Sequence, residues 1–319
     1  MKMTCNYVHA EPIGYGRMGI RLTAALRRAG VDVQEGLEDG PTNLLCTMGT
    51  PPQCRHWYQG QVNTILTMFE TTRLPESFVE GLDNYDTVLV PSQQNVELFS
   101  QLHPNVKLVL LGVDDTWSYR PRQEPDLFFN FLCGGSGPRK GVDLVTKAFN
   151  KVFGGYQGDG PIPRLLMKSP RGAEYFEVGP NIELIAGRLS NEEELDLYAR
   201  AHCYVQPSRG EGFGFQPLQA IAQGCPTILT DAHGHASFAH LGYGLGSRLE
   251  TAAYFSHGFA GEWWEPDFDE LCERMEWVYE NYDEATAFAK TASEVAREEF
   301  SWDRSVARVH EIYEEVGRA

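Results

Sequence analysis

No stretch of the 319 residues approaches the ~18 to 20 uninterrupted apolar residues of a membrane-spanning helix. The opening Met1-Lys2-Met3-Thr4-Cys5-Asn6 also lacks the apolar core of a secretory signal, so a cytoplasmic protein is expected. The seven cysteines, at 5, 46, 54, 133, 203, 225 and 272, never fall in C-x-x-C spacing. That argues against a zinc site and against a disulfide framework, and points to buried thiols. Positive charge is scarce: 27 Lys and Arg against 44 Asp and Glu give a formal net charge of −17. Such a chain repels polyanions, which disfavours a general nucleic-acid coat. Internal repeats and low-complexity tracts are absent as well.

What is present is a globular chain, 42% hydrophobic and long enough for two domains. Acidic residues crowd 262–284 and 294–315 and read as a solvated face, whereas Arg17, Arg21, Arg27 and Arg28 make the first helix basic. Apolar patterning predicts strands at 3–9, 31–34, 44–48, 64–69, 87–90 and 107–111, with helices at 18–29, 75–82 and 94–101. The charged, proline-containing and aromatic stretch 115–126 reads as a linker. A second α/β series follows, with strands at 127–133, 164–168, 182–185, 203–206 and 227–230 and helices at 142–152, 191–201 and 217–223. From 267 the chain is helical, and a last helix runs over 303–316. The fold class is therefore α/β with two Rossmann-like domains, 1–118 and 119–302. A cleft is expected between them, with ligands at the carboxyl ends of the strands.

The most informative segment is Pro207-Ser208-Arg209-Gly210-Glu211-Gly212-Phe213-Gly214-Phe215-Gln216-Pro217-Leu218-Gln219, set between a strand and a helix. Gly212 and Gly214 let the backbone approach a ligand, the helix start offers unpaired N–H groups, and Glu211 adds one carboxylate. A diphosphate joined to a sugar needs both chemistries: amides for phosphate oxygens and a carboxylate for hydroxyls. Gly134-Gly135-Ser136-Gly137-Pro138-Arg139-Lys140-Gly141 sits after another strand and supplies paired cations. Gly14-Tyr15-Gly16-Arg17-Met18-Gly19 matches G-x-G-x-x-G, and Glu35 ends the next strand, so an NAD-dependent enzyme stays open. Ala10-Glu11-Pro12-Ile13 lengthens that loop beyond the dinucleotide pattern. Ser190 with Glu193 forms a capping box, and Lys168 at a strand end is either a cleft residue or an exposed one. His233 and His235 beside Asp231 give only a weak metal pattern.

The Glu211 segment resembles the E-x7-E signature of GT4-like retaining glycosyltransferases, with Gln219 where the second glutamate usually stands. The resemblance extends to Arg139-Lys140, to Glu70-Thr71-Thr72-Arg73-Leu74-Pro75 (E-T-x-x-x-P), to Pro91-Ser92 (P-S-x-x-N) and to Leu111-Gly112-Val113-Asp114 (L-G-V-D). It implies the GT-B fold, with the helix 303–319 crossing back onto the first domain. It further implies a donor bound as a nucleotide-diphosphate sugar, with no metal and no other cofactor. By the same resemblance Glu211 meets the donor sugar and Gln219 the ribose. Arg139 and Lys140 neutralise the leaving diphosphate. Gly14, Gly16, Gly212, Phe213, Gly214 and Phe215 line the donor, Arg188 and Leu189 border the base, and Gly234 lies near the donor. Glu70 and Arg73 face an acceptor, which is a polysaccharide, a protein, modified DNA or a small molecule. Transfer with retention, a phosphate oxygen taking the acceptor proton, is the implied reaction. A catalytically weakened sugar-nucleotide-binding protein is the alternative that Gln219 raises.

Overall fold

A computed structural model describes residues 1–9, 14–37, 40, 42–51, 61–170, 172, 174, 179–252 and 261–316. These form two compact units. One draws on described residues within 1–114, 251–262 and 299–319, the other on 115–250 and 263–298. The divisions read from composition stood at 118 and 302; contacts place them at 114 and 298 and give part of 251–262 to the first unit.

The first unit contains β1 (Lys2–Tyr7), α1 (Gly14–Arg28), β2 (Asp32–Glu35), β3 (Leu44–Met48), β4 (Val62–Leu66), α2 (Glu76–Val79), β5 (Thr87–Val90), α3 (Gln93–Phe99) and β6 (Val106–Leu108). Its sheet runs β2-β1-β3-β4-β5-β6 with parallel pairing. The central strands β3, β4 and β5 are buried on both faces, which is why they read as continuous apolar or β-branched runs, whereas the edge strands β2 and β6 are only partly buried. α1 buries Met18, Leu22, Ala25 and Leu26 and places Arg27 and Arg28 at its negative dipole end. The helix expected from residue 18 begins at Gly14, so Gly14, Gly16 and Gly19 lie in its first turns and do not form a loop. Gly19 has a packing reason: a Cβ there would lie 2.4 Å from the Tyr7 ring. Residues 10–13, expected to lengthen that loop, lie outside the described residues.

The second unit contains β7 (Phe128–Gly134), α4 (Val142–Phe153), β8 (Ile162–Ser169), β9 (Ile182–Ala186), α5 (Asn191–Ala199), β10 (Cys203–Gln206), α6 (Phe215–Ala222), β11 (Thr227–Thr230) and β12 (Tyr243–Leu245). Its parallel sheet runs β12-β11-β10-β7-β8-β9. The chain builds outward from β7 to β9, returns to the other side of β7, and builds outward again from β10 to β12. β7 and β10 are therefore neighbours whose following connections leave in opposite directions, a topological switch point. Phe129, Phe131, Phe149, Phe153, Met167 and Met275 fill the core on one face. β13 (Ser247–Thr251), β14 (Glu262–Pro266), α7 (Phe268–Glu280) and α8 (Tyr282–Glu299) follow. β12, β13 and β14 were not anticipated; β13 is largely exposed and carries no apolar alternation to betray it.

The final helix, α9 (Trp302–Val316), belongs to the first unit and packs on α1. The L-G-V-D segment is its docking point. Val113 N–H donates to the Phe300 carbonyl at 2.7 Å, and Trp302 Nε1 donates to Asp114 Oδ1 at 2.9 Å. Buried Val306, Val309, Ile312 and Tyr313 each add roughly 1.5–3 kcal/mol of apolar burial. Among the described residues no helix is long and apolar enough to cross a membrane. Six cysteines are free and buried; Cys54 lies outside the described residues.

Candidate active site

The switch point explains why two segments about 70 residues apart meet. β7 and β10 pair in parallel, Cys203 opposite Phe131 and Tyr204 opposite Leu132, so the loops leaving Gly134 and Gln206 emerge side by side. Gln206 is fully buried and joins them: its Nε2 donates to the Lys140 carbonyl at 2.8 Å while its Oε1 accepts from the Tyr204 hydroxyl at 2.8 Å. Glu211 then receives both cations, Lys140 Nζ at 2.6 Å and Arg139 at 3.3 Å, and the Ser208 hydroxyl donates to it at 2.8 Å. Burial pushes the Glu211 carboxyl up, but Lys140 and Arg139 more than reverse this and hold it well below the usual carboxylate range. The carboxylate is 8% exposed, whereas Arg139 and Lys140 keep 27% and 21% of their side chains open to solvent. An anion can therefore reach the cations.

The Glu211 loop is braced from below by the turn His233–Ser237. Gly234 N–H donates to the Glu211 carbonyl at 2.9 Å, and the His233 Nε2–H donates to the Ser208 carbonyl at 3.0 Å. A Cβ on Gly234 would lie 2.5 Å from Phe213 N, so close packing accounts for this glycine. His235 is fully buried, and neither of its ring nitrogens has a hydrogen-bond partner among the described residues. Its ring lies against Gly214, which adopts φ +111° and has no room for a side chain. Burial drives both imidazoles toward the neutral form, His233 down to about 4 and His235 well below its usual value. Among the described residues no group of three or more His, Cys, Asp or Glu is placed to hold a metal.

α6 starts at Phe215 after Gly214, with no side chain capping its first N–H groups, so a positive helix end borders the Glu211 loop. Phe213 packs its buried ring against Phe215 and Phe238. Gln219 is buried on α6. Gln216, which the sequence reading passed over, lies near β7: a Cβ on Gly134 would sit 2.7 Å from its Nε2. Arg209 was also missed, since its carboxylate partners Asp143 and Glu265 are 66 and 56 positions away.

The remaining expected site residues have these surroundings. Lys168 is not exposed; it pairs with the buried Glu194 of α5. Arg188 is exposed, and Leu189 lines a separate cleft of about 860 Å³ that includes Arg120, Asp196 and Tyr282. In the first unit Tyr15 of the glycine-rich run ties α1 to the end of β4, its hydroxyl 2.9 Å from the Met68 carbonyl. Asn95 clamps the next residue, accepting from Phe69 N–H at 2.6 Å and donating to the Phe69 carbonyl at 3.0 Å. The P-S-x-x-N segment thus presents Glu70, which is half-buried, and Arg73, which is exposed. Glu35 accepts from the Tyr7 hydroxyl at 2.5 Å and pairs with Arg27 and His9. A carboxylate so engaged is poorly placed to bind a ribose, which weighs against the dinucleotide reading.

Residues 92–309 match the family described as family 4 glycosyltransferase in conflict systems. An uncharacterized glycosyltransferase of Methanocaldococcus jannaschii is 27% identical over 248 residues, 75% of this chain; the chain spans 62% of that relative's length. Among solved structures, sucrose-phosphate synthase from Thermosynechococcus elongatus superposes with a TM-score of 0.73 at 15% identity, covering 100% of this chain and 99% of the other. HepE of Anabaena, solved with UDP and glucose, gives 0.67 at 13% identity and covers both chains completely. These likenesses establish the GT-B fold.

Proposed function

The chain belongs to the family 4 glycosyltransferases in conflict systems, and from that premise we propose that it moves a sugar, with retention, from a nucleoside-diphosphate donor to an acceptor hydroxyl. The observation that carries this reading is the joining of Arg139 and Lys140 to Glu211 at the switch point, beside the open start of α6. The α6 amides and the two cations suit the diphosphate, and Glu211 suits the sugar hydroxyls. As the bond from the anomeric carbon to the phosphate oxygen breaks, its electron pair leaves with the diphosphate. Arg139 and Lys140 stabilise that growing charge without a catalytic metal. The acceptor oxygen bonds to the anomeric carbon from the side of the departing group, and its proton passes to a phosphate oxygen. In the first unit, Glu70 and Arg73 are assigned to the acceptor, and a cytoplasmic setting belongs to the same proposal.

Glu211→Gln tests the reading, because it keeps the shape and removes the charge. With UDP-, GDP- and ADP-sugars offered in turn, UDP first because HepE was solved with it, transfer should fall by roughly 100-fold or more while circular dichroism stays unchanged. Undiminished transfer by a folded variant sinks the assignment. Gln219 on α6 favours a second reading, a binder with little turnover. Sustained release of nucleotide from the donor by the wild type would rule that out.

A further inference from the structure

Arg209, in the loop that leaves β10, reaches to the segment that follows β7; it is 6% exposed, with all five of its side-chain N–H groups engaged. One amino group donates to Asp143 Oδ1 at 2.8 Å and to the Pro138 carbonyl; the other donates to Asp143 Oδ2 at 3.0 Å and Glu265 Oε1 at 2.9 Å. Nε donates to Glu265 Oε2 at 2.5 Å. Its backbone N–H holds the Arg139 carbonyl at 2.8 Å, and the guanidinium lies 5.2 Å from the centre of the Trp263 ring. Arg209 therefore has no donor left for a ligand. What it grips is the turn Pro138–Lys140 and the first turn of α4, where Asp143 stands three residues beyond Lys140.

The charges divide accordingly. Arg209 is shared by Asp143 and Glu265, while Arg139 and Lys140 share Glu211. Were Arg209 neutral, Asp143 would lose its partner beside Lys140 and compete with an incoming anion for the same cations.

Resting on the donor-site reading above, we propose that Arg209 is a positioning residue for the donor diphosphate: it fixes the Pro138–Lys140 turn and sequesters Asp143, so that Arg139 and Lys140 are held where the diphosphate meets them. It touches no substrate atom. Its effect is exerted through the two cations.

The test is calorimetric titration of the full chain with UDP, or with GDP or ADP should wild type bind one of these more tightly. Arg209→Met should weaken binding about tenfold or more. Adding Asp143→Asn to Arg209→Met should recover most of that loss, because the competing carboxylate is gone; a purely structural role predicts no recovery. Wild-type affinity in Arg209→Met, or a loss that Asp143→Asn leaves untouched, overturns the proposal. Should Arg209→Met fail to fold, Arg209→Lys keeps the charge but offers three donors in place of five. It should bind with intermediate affinity, and wild-type affinity there also overturns the proposal. Arg139→Ala with Lys140→Ala is the reference arm. Wild-type affinity in that variant removes the donor-site reading itself, whereas lost affinity there beside intact Arg209→Met binding rejects only the role of Arg209.

Discussion

Glu211 receives two cations and a hydroxyl donor in a nearly dry setting, so its charge is paired before any ligand arrives. Gln219 stands in contrast: buried on α6 in a neighbourhood where a carboxylate would have to be desolvated. Gln219→Glu should therefore lower the melting temperature of the free protein, the desolvation of a buried acid costing about 1–3 kcal/mol, or several degrees. If the position faces the ribose, nucleotide should restore more of that loss than it adds to wild type. Differential scanning fluorimetry with and without UDP reads both shifts, and an equal nucleotide increment in the two proteins places Gln219 away from the ribose. At this scale Glu211, Arg139 and Lys140 were legible in the sequence because their chemistry is local and unusual among glycines. Arg209 was not, because a basic residue in a loop looks solvated until Asp143 and Glu265 are folded around it.

Among the elements, the His233–Ser237 turn has the clearest pH signature. Both imidazoles are neutral in the fold, chiefly through burial, and their folded pKa values lie below the unfolded value near 6.5. Between about 4 and 6.5 the unfolded chain thus binds protons that the folded His233 does not. Stability is full above this window and is lost as pH falls through it, at up to about 1.4 kcal/mol per pH unit for each histidine. The melting temperature should drop from pH 6.5 to 4.5, and His235→Gln should flatten the slope. Parallel slopes for variant and wild type would show that His235 titrates normally in the fold. Strand and helix positions were largely readable here, since apolar runs and cap residues act within a few positions. Ser190 with Glu193 forms the capping box that its spacing implies. The start of α1 was misread because glycines suggested a loop where one of them instead lets the helix close on Tyr7.

The net charge of −17 acts over the whole molecule and opposes the approach of any anionic donor, whereas the Arg139-Lys140 pair acts only at contact distance. Raising salt from 0.01 to 0.15 M shortens the screening length from about 30 to 8 Å, and so weakens the long-range repulsion before the contacts. The association rate of UDP, followed by stopped-flow, should consequently rise over this range; a steep fall would mean that the local positive field governs encounter. The α/β class, the two parallel sheets and the glycine-bounded motifs were determined by the sequence alone, because alternation, burial and turn chemistry are short-range properties. Only the tertiary structure decided that Gln206 joins the two loops, that Asn95 and Asp114 serve as clamp and dock, and that Arg209 is spent on Asp143 and Glu265. Those pairings depend on which strands become neighbours, and that order is set by packing of the whole sheet.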